Sequence, residues 1–189
     1  MLKTLKTAVG YVGTLIARWL PARLRRKEIT SIFNFIPIDD RVATAGQPTE
    51  EQLAAIQQAG YDVVINLAPE AGENSLPDER ATVTSLGMRY VHIPVDFKNP
   101  TQDDFDQFCV AMRDAEGSKV LVHCAANMRV SAFMYRYRCE VRGDSPQLAQ
   151  QSLDLVWSPP GVWKKFISPG VEEPDWGRSP SGPNQRDLV

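Results

Sequence analysis

Residues 120–132 read Val-Leu-Val-His-Cys-Ala-Ala-Asn-Met-Arg-Val-Ser-Ala. An apolar strand ends there, the chain turns over small residues, and a helix begins. Turn amides and a helix N-terminus that face one spot favour an anion at that spot. A cysteine placed there, Cys124, has its thiolate favoured by the same field. Arg129 offers a planar fork for two oxygens of a phosphate. A thiolate nucleophile, an oxyanion cradle over Ala125, Ala126, Asn127, Met128, Arg129 and Val130, and a bidentate cation together form a device for attacking a phosphoester and holding a phosphocysteine.

The elements that must position this loop alternate along the chain. Short strands are expected at Ile32–Ile36 and Arg41–Thr44, around an Asp39-Asp40 turn. A helix follows Thr49 as N-cap, with Glu50 and Glu51 at its positive end, and Gly60 stops it. Tyr61–Leu67 and Met88–Val95 read as strands, with a helix from Asp78 to Leu86 between them. Thr101-x-x-Asp104 opens a helix with a capping-box pattern, and Phe105, Phe108, Cys109 and Met112 mark its core face. Lys119–His123 is the apolar strand before the cysteine. Helices are expected from Val130 to Arg142 and from Ser145 to Trp157. Strands separated by helices predict an α/β fold, a mainly parallel central sheet flanked by helices.

The ends differ from this middle. Residues 1–29 carry Leu2, Leu5, Val9, Val12, Ile16 and Trp19 on one helical stripe, with Arg23, Arg25, Arg26 and Lys27 after it. The segment is too short in apolar residues to span a bilayer. Three readings stay open: a basic amphipathic helix on an anionic membrane surface, a targeting segment, or a helix docked on the protein's own domain or on a second subunit. Residues 30–167 form the compact domain. Residues 168–189 are rich in proline, serine and glycine and read as a flexible tail.

Charge follows the same division. Residues 1–30 hold seven basic side chains against one acid, whereas the remainder holds 14 against 22. An acidic body lacks the basic footprint of a nucleic-acid binder. Three widely spaced cysteines make no disulfide framework and point to a reducing, cytoplasmic location, with a peripheral membrane position left open by the N-terminal helix. His92 and His123, the only two histidines, lack zinc-site spacing, and no metal is expected. Cys109 and Cys139 read as structural. Arg136, Arg138 and Arg142 read as a solvated helix face. Gln47 and Asn66 lie near element ends, within reach of the pocket.

The His-Cys-loop-Arg-x-Ser run after an apolar strand resembles the cysteine-dependent protein tyrosine and dual-specificity phosphatases. Ala45-Gly46-Gln47-Pro48-Thr49, Val64-Ile65-Asn66-Leu67 and Tyr90–Asp96 resemble the bacterial branch of that superfamily, which includes the phosphatase-like domain fused to NAD kinases. The resemblance covers about residues 32–157. It implies the cysteine-phosphatase architecture and hydrolysis of a phosphorylated protein or small molecule without a cofactor. Cys124 would be the nucleophile and Arg129 would bind the phosphoryl oxygens. Ser131 would donate to the sulfur, His123 would brace the loop, and Asp96 would be general acid and then base.

One departure bears on the chemistry. The superfamily pattern is C-x5-R followed by Ser or Thr, whereas here the spacing is C-x4-R, and Val130 stands where the arginine is expected. One helical position turns a side chain by about 100°. Two alternatives follow: an oxyanion-binding regulatory module without turnover, and a rhodanese-like sulfurtransferase, whose loop is typically one residue shorter. The preceding histidine, the following serine and Asp96 resemble phosphatase equipment.

Overall fold

The computed structural model describes residues 28–70 and 75–168, together with Thr4, Thr7 and Tyr11. Most of the expected N-terminal helix and nearly all of the expected tail lie outside the described residues.

Five strands form one sheet in the order β1-β2-β5-β3-β4. They are β1 (Ile36–Pro37), β2 (Val42–Ala45), β3 (Val63–Asn66), β4 (Arg89–His92) and β5 (Val120–His123). β2, β5, β3 and β4 run parallel, and β1 joins β2 antiparallel. The sheet is therefore mixed, four parallel strands with one antiparallel edge strand whose direction the sequence reading did not assign. The cause is the Asp39 turn, whose Oδ1 accepts the amides of Arg41 and Val42 at 2.9 and 2.8 Å and folds β1 back on β2. The strand expected over residues 32–36 shrinks to Ile36–Pro37. Asn34 adopts a left-handed backbone (φ 49°), which interrupts extension.

The helices are α1 (Glu50–Gln58), α2 (Glu79–Ser85), α3 (Gln102–Asp114), α4 (Met128–Glu140), α5 (Pro146–Val156) and α6 (Val162–Ile167). Thr49 and Gln52 close a capping box on α1, and Thr101 and Asp104 close one on α3. Ser145 caps α5, with Pro146 in its first turn. Two turns of α6 follow Pro159-Pro160-Gly161 and were not expected. Trp163 and Phe166 bury its inner face, while the first-turn N-cap is Gly161 at φ 56°.

Alternation along the strands divides the core into two layers. Ala43, Ala45, Val64 and Leu121 pack with Leu53 and Ile56 of α1 and Val83 of α2. Val42, Val63, Ile65, Val120 and Val122 face Phe105 and Phe108 of α3, Phe133 of α4, Leu153 of α5 and Trp163 and Phe166 of α6. β5 is central because the chain returns from β4 through α3 into the gap between β2 and β3. Its C-terminal end therefore opens between two neighbouring strand ends, the place where parallel α/β sheets hold ligands.

Two of the arginines expected on a solvated face are buried instead. Arg136 lies over the Phe105 ring at 3.9 Å and the Phe166 ring at 4.8 Å, and pairs with Glu140 at 2.8 Å. Arg138 pairs with Asp144 at 2.6 Å and donates to Ser152. Each satisfies its charge with an acid while its stem fills space under α5 or α6. Arg142 is exposed and reaches Asp39 at 2.7 Å.

Two of the described N-terminal residues meet this body. Thr7 is buried and its hydroxyl donates to the Val156 carbonyl. Thr4 exchanges long hydrogen bonds with the backbone of Ser158 at 3.4 and 3.5 Å. Among the described residues no helix is long and apolar enough to cross a membrane.

Candidate active site

The turn between β5 and α4 is built by two asparagines and a glycine. Asn127 is the N-cap of α4 in a left-handed conformation (φ 65°), which asparagine tolerates better than most residues. Its Nδ2 donates to the Asn34 carbonyl at 2.8 Å and to the Thr44 hydroxyl at 2.9 Å. Asn34 answers by donating to the Ala126 carbonyl at 3.1 Å. Gly46 brings the β2 exit alongside: Gln47 donates its amide to the Ala125 carbonyl at 3.1 Å. A Cβ at Gly46 would lie 3.0 Å from both the Ala125 and Phe33 carbonyl oxygens, so the close approach needs glycine.

These contacts hold the loop by its carbonyls and leave its amides free. The Cys124 amide continues the sheet to the Ala45 carbonyl at 3.3 Å, and the Ser131 amide closes the first helical turn onto Asn127 at 2.9 Å. Between them, the amides of Met128, Arg129 and Val130 meet no acceptor among the described residues. No side chain caps the helix and no acid stands in its first turn. The N-terminus thus keeps its partial positive charge for a guest.

The side chains sort by depth. Cys124 is 1% exposed and sits at the strand end. Val130 is buried in the core, so at the position where an arginine was expected only its amide faces the loop. Because α4 begins at Met128, Arg129 stands in its first turn. Its guanidinium lies over the Phe97 ring at 5.2 Å, and its buried Nε has no partner among the described residues. Phe97 follows Asp96, so the arginine and the proposed general acid come from adjoining loops. Asp96 itself is exposed, with Oδ1 accepting the Lys98 amide at 2.9 Å. The Ser131 hydroxyl donates to the Met128 carbonyl at 3.0 Å.

Sequence reasoning missed Glu79. It lies in the first turn of α2, where a carboxylate is already explained by the helix end, so nothing marked it. The fold carries it under the loop. Its Oε1 lies 2.6 Å from Nε2 of His123, and both side chains are buried. Its Oε2 accepts from Gln47 at 2.8 Å and from Asn66 at 3.4 Å. Asn66 also donates to the Tyr90 hydroxyl at 3.0 Å and accepts the Ala68 amide at 2.7 Å. Gln47 and Asn66 therefore support this buried carboxylate rather than standing alone. Burial pushes the Tyr90 hydroxyl up to about 12, with the Glu79 charge adding to it.

For Glu79, burial alone would raise the pKa. The His123 imidazole and the Gln47 donor outweigh it and hold the carboxyl below its ordinary 4.5. A depressed carboxylate stabilises the fold at pH above its unfolded value, and that contribution is lost as pH falls through the lower folded value. Glu79→Gln is expected to cost about 3 kcal/mol at neutral pH, because it removes the buried carboxylate charge that faces His123. The cost should shrink on acidification below pH 4.5. Urea unfolding of both proteins across this range measures it; a pH-independent difference would contradict the assignment.

Known proteins share this α/β architecture. A DUF442 protein of Shewanella putrefaciens CN-32, named as a phosphatase, has a crystal structure that aligns with a TM-score of 0.68 and 38% identity, covering 74% of this chain and 91% of that one. The catalytic core of the S. cerevisiae PP-IP phosphatase SIW14 shares the fold at 12% identity, with a TM-score of 0.60 over 72% of this chain and 84% of that one. A beta-lactamase hydrolase-like protein of Xylella fastidiosa (strain Temecula1) is 34% identical over 97 residues, which is 50% of this chain but only 22% of that protein's length. Residues 12–158, over three quarters of the chain, match the model of a family described as DSP-PTPase phosphatase fused to NAD+ kinase. With an α/β sheet presenting a cysteine loop over an uncapped helix and this match across most of its length, the chain belongs to that family of dual-specificity-type phosphatases.

Proposed function

We propose that the protein hydrolyses phosphomonoesters through a phosphocysteine at Cys124. The observation that carries the reading is the unspent positive end of α4, which follows the buried Cys124 by a short turn and keeps three amides and the Arg129 Nε without partners among the described residues. In the first step the Cys124 thiolate attacks phosphorus and the S–P bond forms. The P–O bond to the leaving group breaks, and protonated Asp96 gives its proton to the departing oxygen. In the second step water attacks phosphorus, its proton passes to Asp96, the S–P bond breaks, and phosphate leaves with the thiolate restored.

The loop amides and Arg129 bind the equatorial oxygens, whose negative charge builds up in both transition states. Ser131 lies in the same first turn and reaches the sulfur only by turning its hydroxyl from Met128. His123 braces the strand end through Glu79. The reading invokes no metal or organic cofactor, and it takes as substrate any accessible phosphomonoester, on a protein or a small molecule. It places the protein in a reducing compartment, which keeps the thiol free. The contacts of Thr4 and Thr7 with residues 156–158 favour a docked N-terminal helix over a membrane-bound one.

A generic aryl phosphate, turned over and quenched in acid, tests the intermediate. Mass spectrometry of the quenched protein is expected to find one phosphoryl group on the peptide containing Cys124. Turnover with no such adduct and with full activity in Cys124→Ser would exclude the mechanism.

A further inference from the structure

The loop after β4 carries Asp96, and one of the contacts that hold it comes from beyond the family match. On one side the Val95 amide donates to the Leu67 carbonyl at 3.3 Å, which ties the loop to the end of β3. On the other side the Trp163 indole Nε1 donates to the Phe97 carbonyl at 2.8 Å. The Phe97 ring packs at a tilt against Trp163 and Trp157, with centroids 5.3 and 5.8 Å away, and the Arg129 guanidinium lies 5.2 Å from its centroid. Trp163 is itself nearly fully buried against Phe133 and Phe166. It belongs to α6, which begins after residue 158, where the family match ends.

We infer that Trp163 is a positioning residue for the acid step, fixing the Asp96 segment against Arg129 through the backbone and ring of Phe97. This rests on the phosphatase reading above. The physical reason is that Asp96 is exposed and its own carboxyl and carbonyl meet only local turn amides, those of Lys98 and Asn99. Nothing in those turns sets the distance from the carboxyl to the cysteine loop. The indole does, because one ring system bonds the loop's backbone, contacts the ring that backs Arg129, and is locked in the core. Misplacing a catalytic group by about 1 Å can cost up to about 100-fold in rate.

Trp163→Phe removes the Nε1 donor and keeps an aromatic ring in the core. Two esters separate its effect from general damage. p-Nitrophenyl phosphate releases a stable phenolate and needs little proton donation, whereas phenyl phosphate needs the acid. The variant is expected to lose about tenfold in kcat/KM on phenyl phosphate and less than about twofold on p-nitrophenyl phosphate. Asp96→Asn should move in the same direction and further. Backbone hydrogen exchange at Lys98 and Asn99 should quicken in Trp163→Phe. Replacement of the Trp163 side chain by 3-benzothienylalanine, an isostere that lacks only the N–H donor, is the second variant if the first does not fold, and the same substrate split is expected of it.

Equal losses on the two esters, or unchanged exchange in the loop, would overturn the inference. If Asp96→Asn shows no substrate split while Cys124→Ser is inactive, Asp96 is not the acid, and this role for Trp163 falls with it. If Asp96→Asn shows the split and neither Trp163→Phe nor the benzothienyl isostere does, the phosphatase reading stands and the positioning role alone is wrong. A wild type that turns over neither ester removes the phosphatase reading, and the exchange measurement then decides whether Trp163 holds the loop.

Discussion

Cys124→Ser is expected to lose at least about 1,000-fold in kcat/KM on an aryl phosphate while keeping its affinity for phosphate. The two halves of that result come from different parts of the site. A serine hydroxyl is far less acidic than a thiol, so the field of the α4 N-terminus does not supply an ionised nucleophile there. The same field continues to bind an oxyanion, because the amides of residues 128–130 and Arg129 are untouched. Oxygen is smaller than sulfur, so the substitution enters a buried position without overpacking. Steady-state kinetics and phosphate competition in wild type and variant read both halves. A variant that retains turnover would place the chemistry elsewhere. A wild type that binds phosphate but turns over nothing would favour the oxyanion-binding module.

The sequence was most readable where one local rule governs. The apolar run before Cys124 is a strand paired on both sides, and such strands carry unbroken hydrophobicity. The capping boxes at Thr49 and Thr101 stand where side-chain spacing put them, because a cap is a contact within four residues. What stayed hidden depends on partners distant in sequence. Glu79 looks like any first-turn carboxylate until the fold sets it against His123. Arg136 reads as a surface charge until Phe166 closes over it, and Phe166 belongs to a two-turn helix too short to announce itself by periodicity. The mixed sheet escaped notice because β1 spans two residues, and its partner choice is set by the Asp39 turn and by Asn34 reaching for the cysteine loop.

The short C-x4-R spacing is where sequence and structure bear most directly on each other. Moving the arginine one place earlier could have aimed it away from the sulfur. The fold adapts by starting α4 at Met128 behind a left-handed Asn127, which places Arg129 in the first helical turn and sends Val130 into the core. Phe97 then backs the guanidinium, and the buried Nε is left without a partner among the described residues. A planar cation with one face on a ring and an N–H edge free is arranged for two parallel hydrogen bonds to an oxyanion. The charge alone is not the point, and Lys should not replace it. Arg129→Ala is expected to lower kcat/KM by about 1,000-fold and Arg129→Lys by about 100-fold, with phosphate inhibition weakened in both. If the lysine variant keeps wild-type activity, Arg129 acts as a point charge at a distance and the forked contact is not made. If both variants keep it, the arginine stands outside the reaction and the shortened loop binds its anion through backbone amides alone.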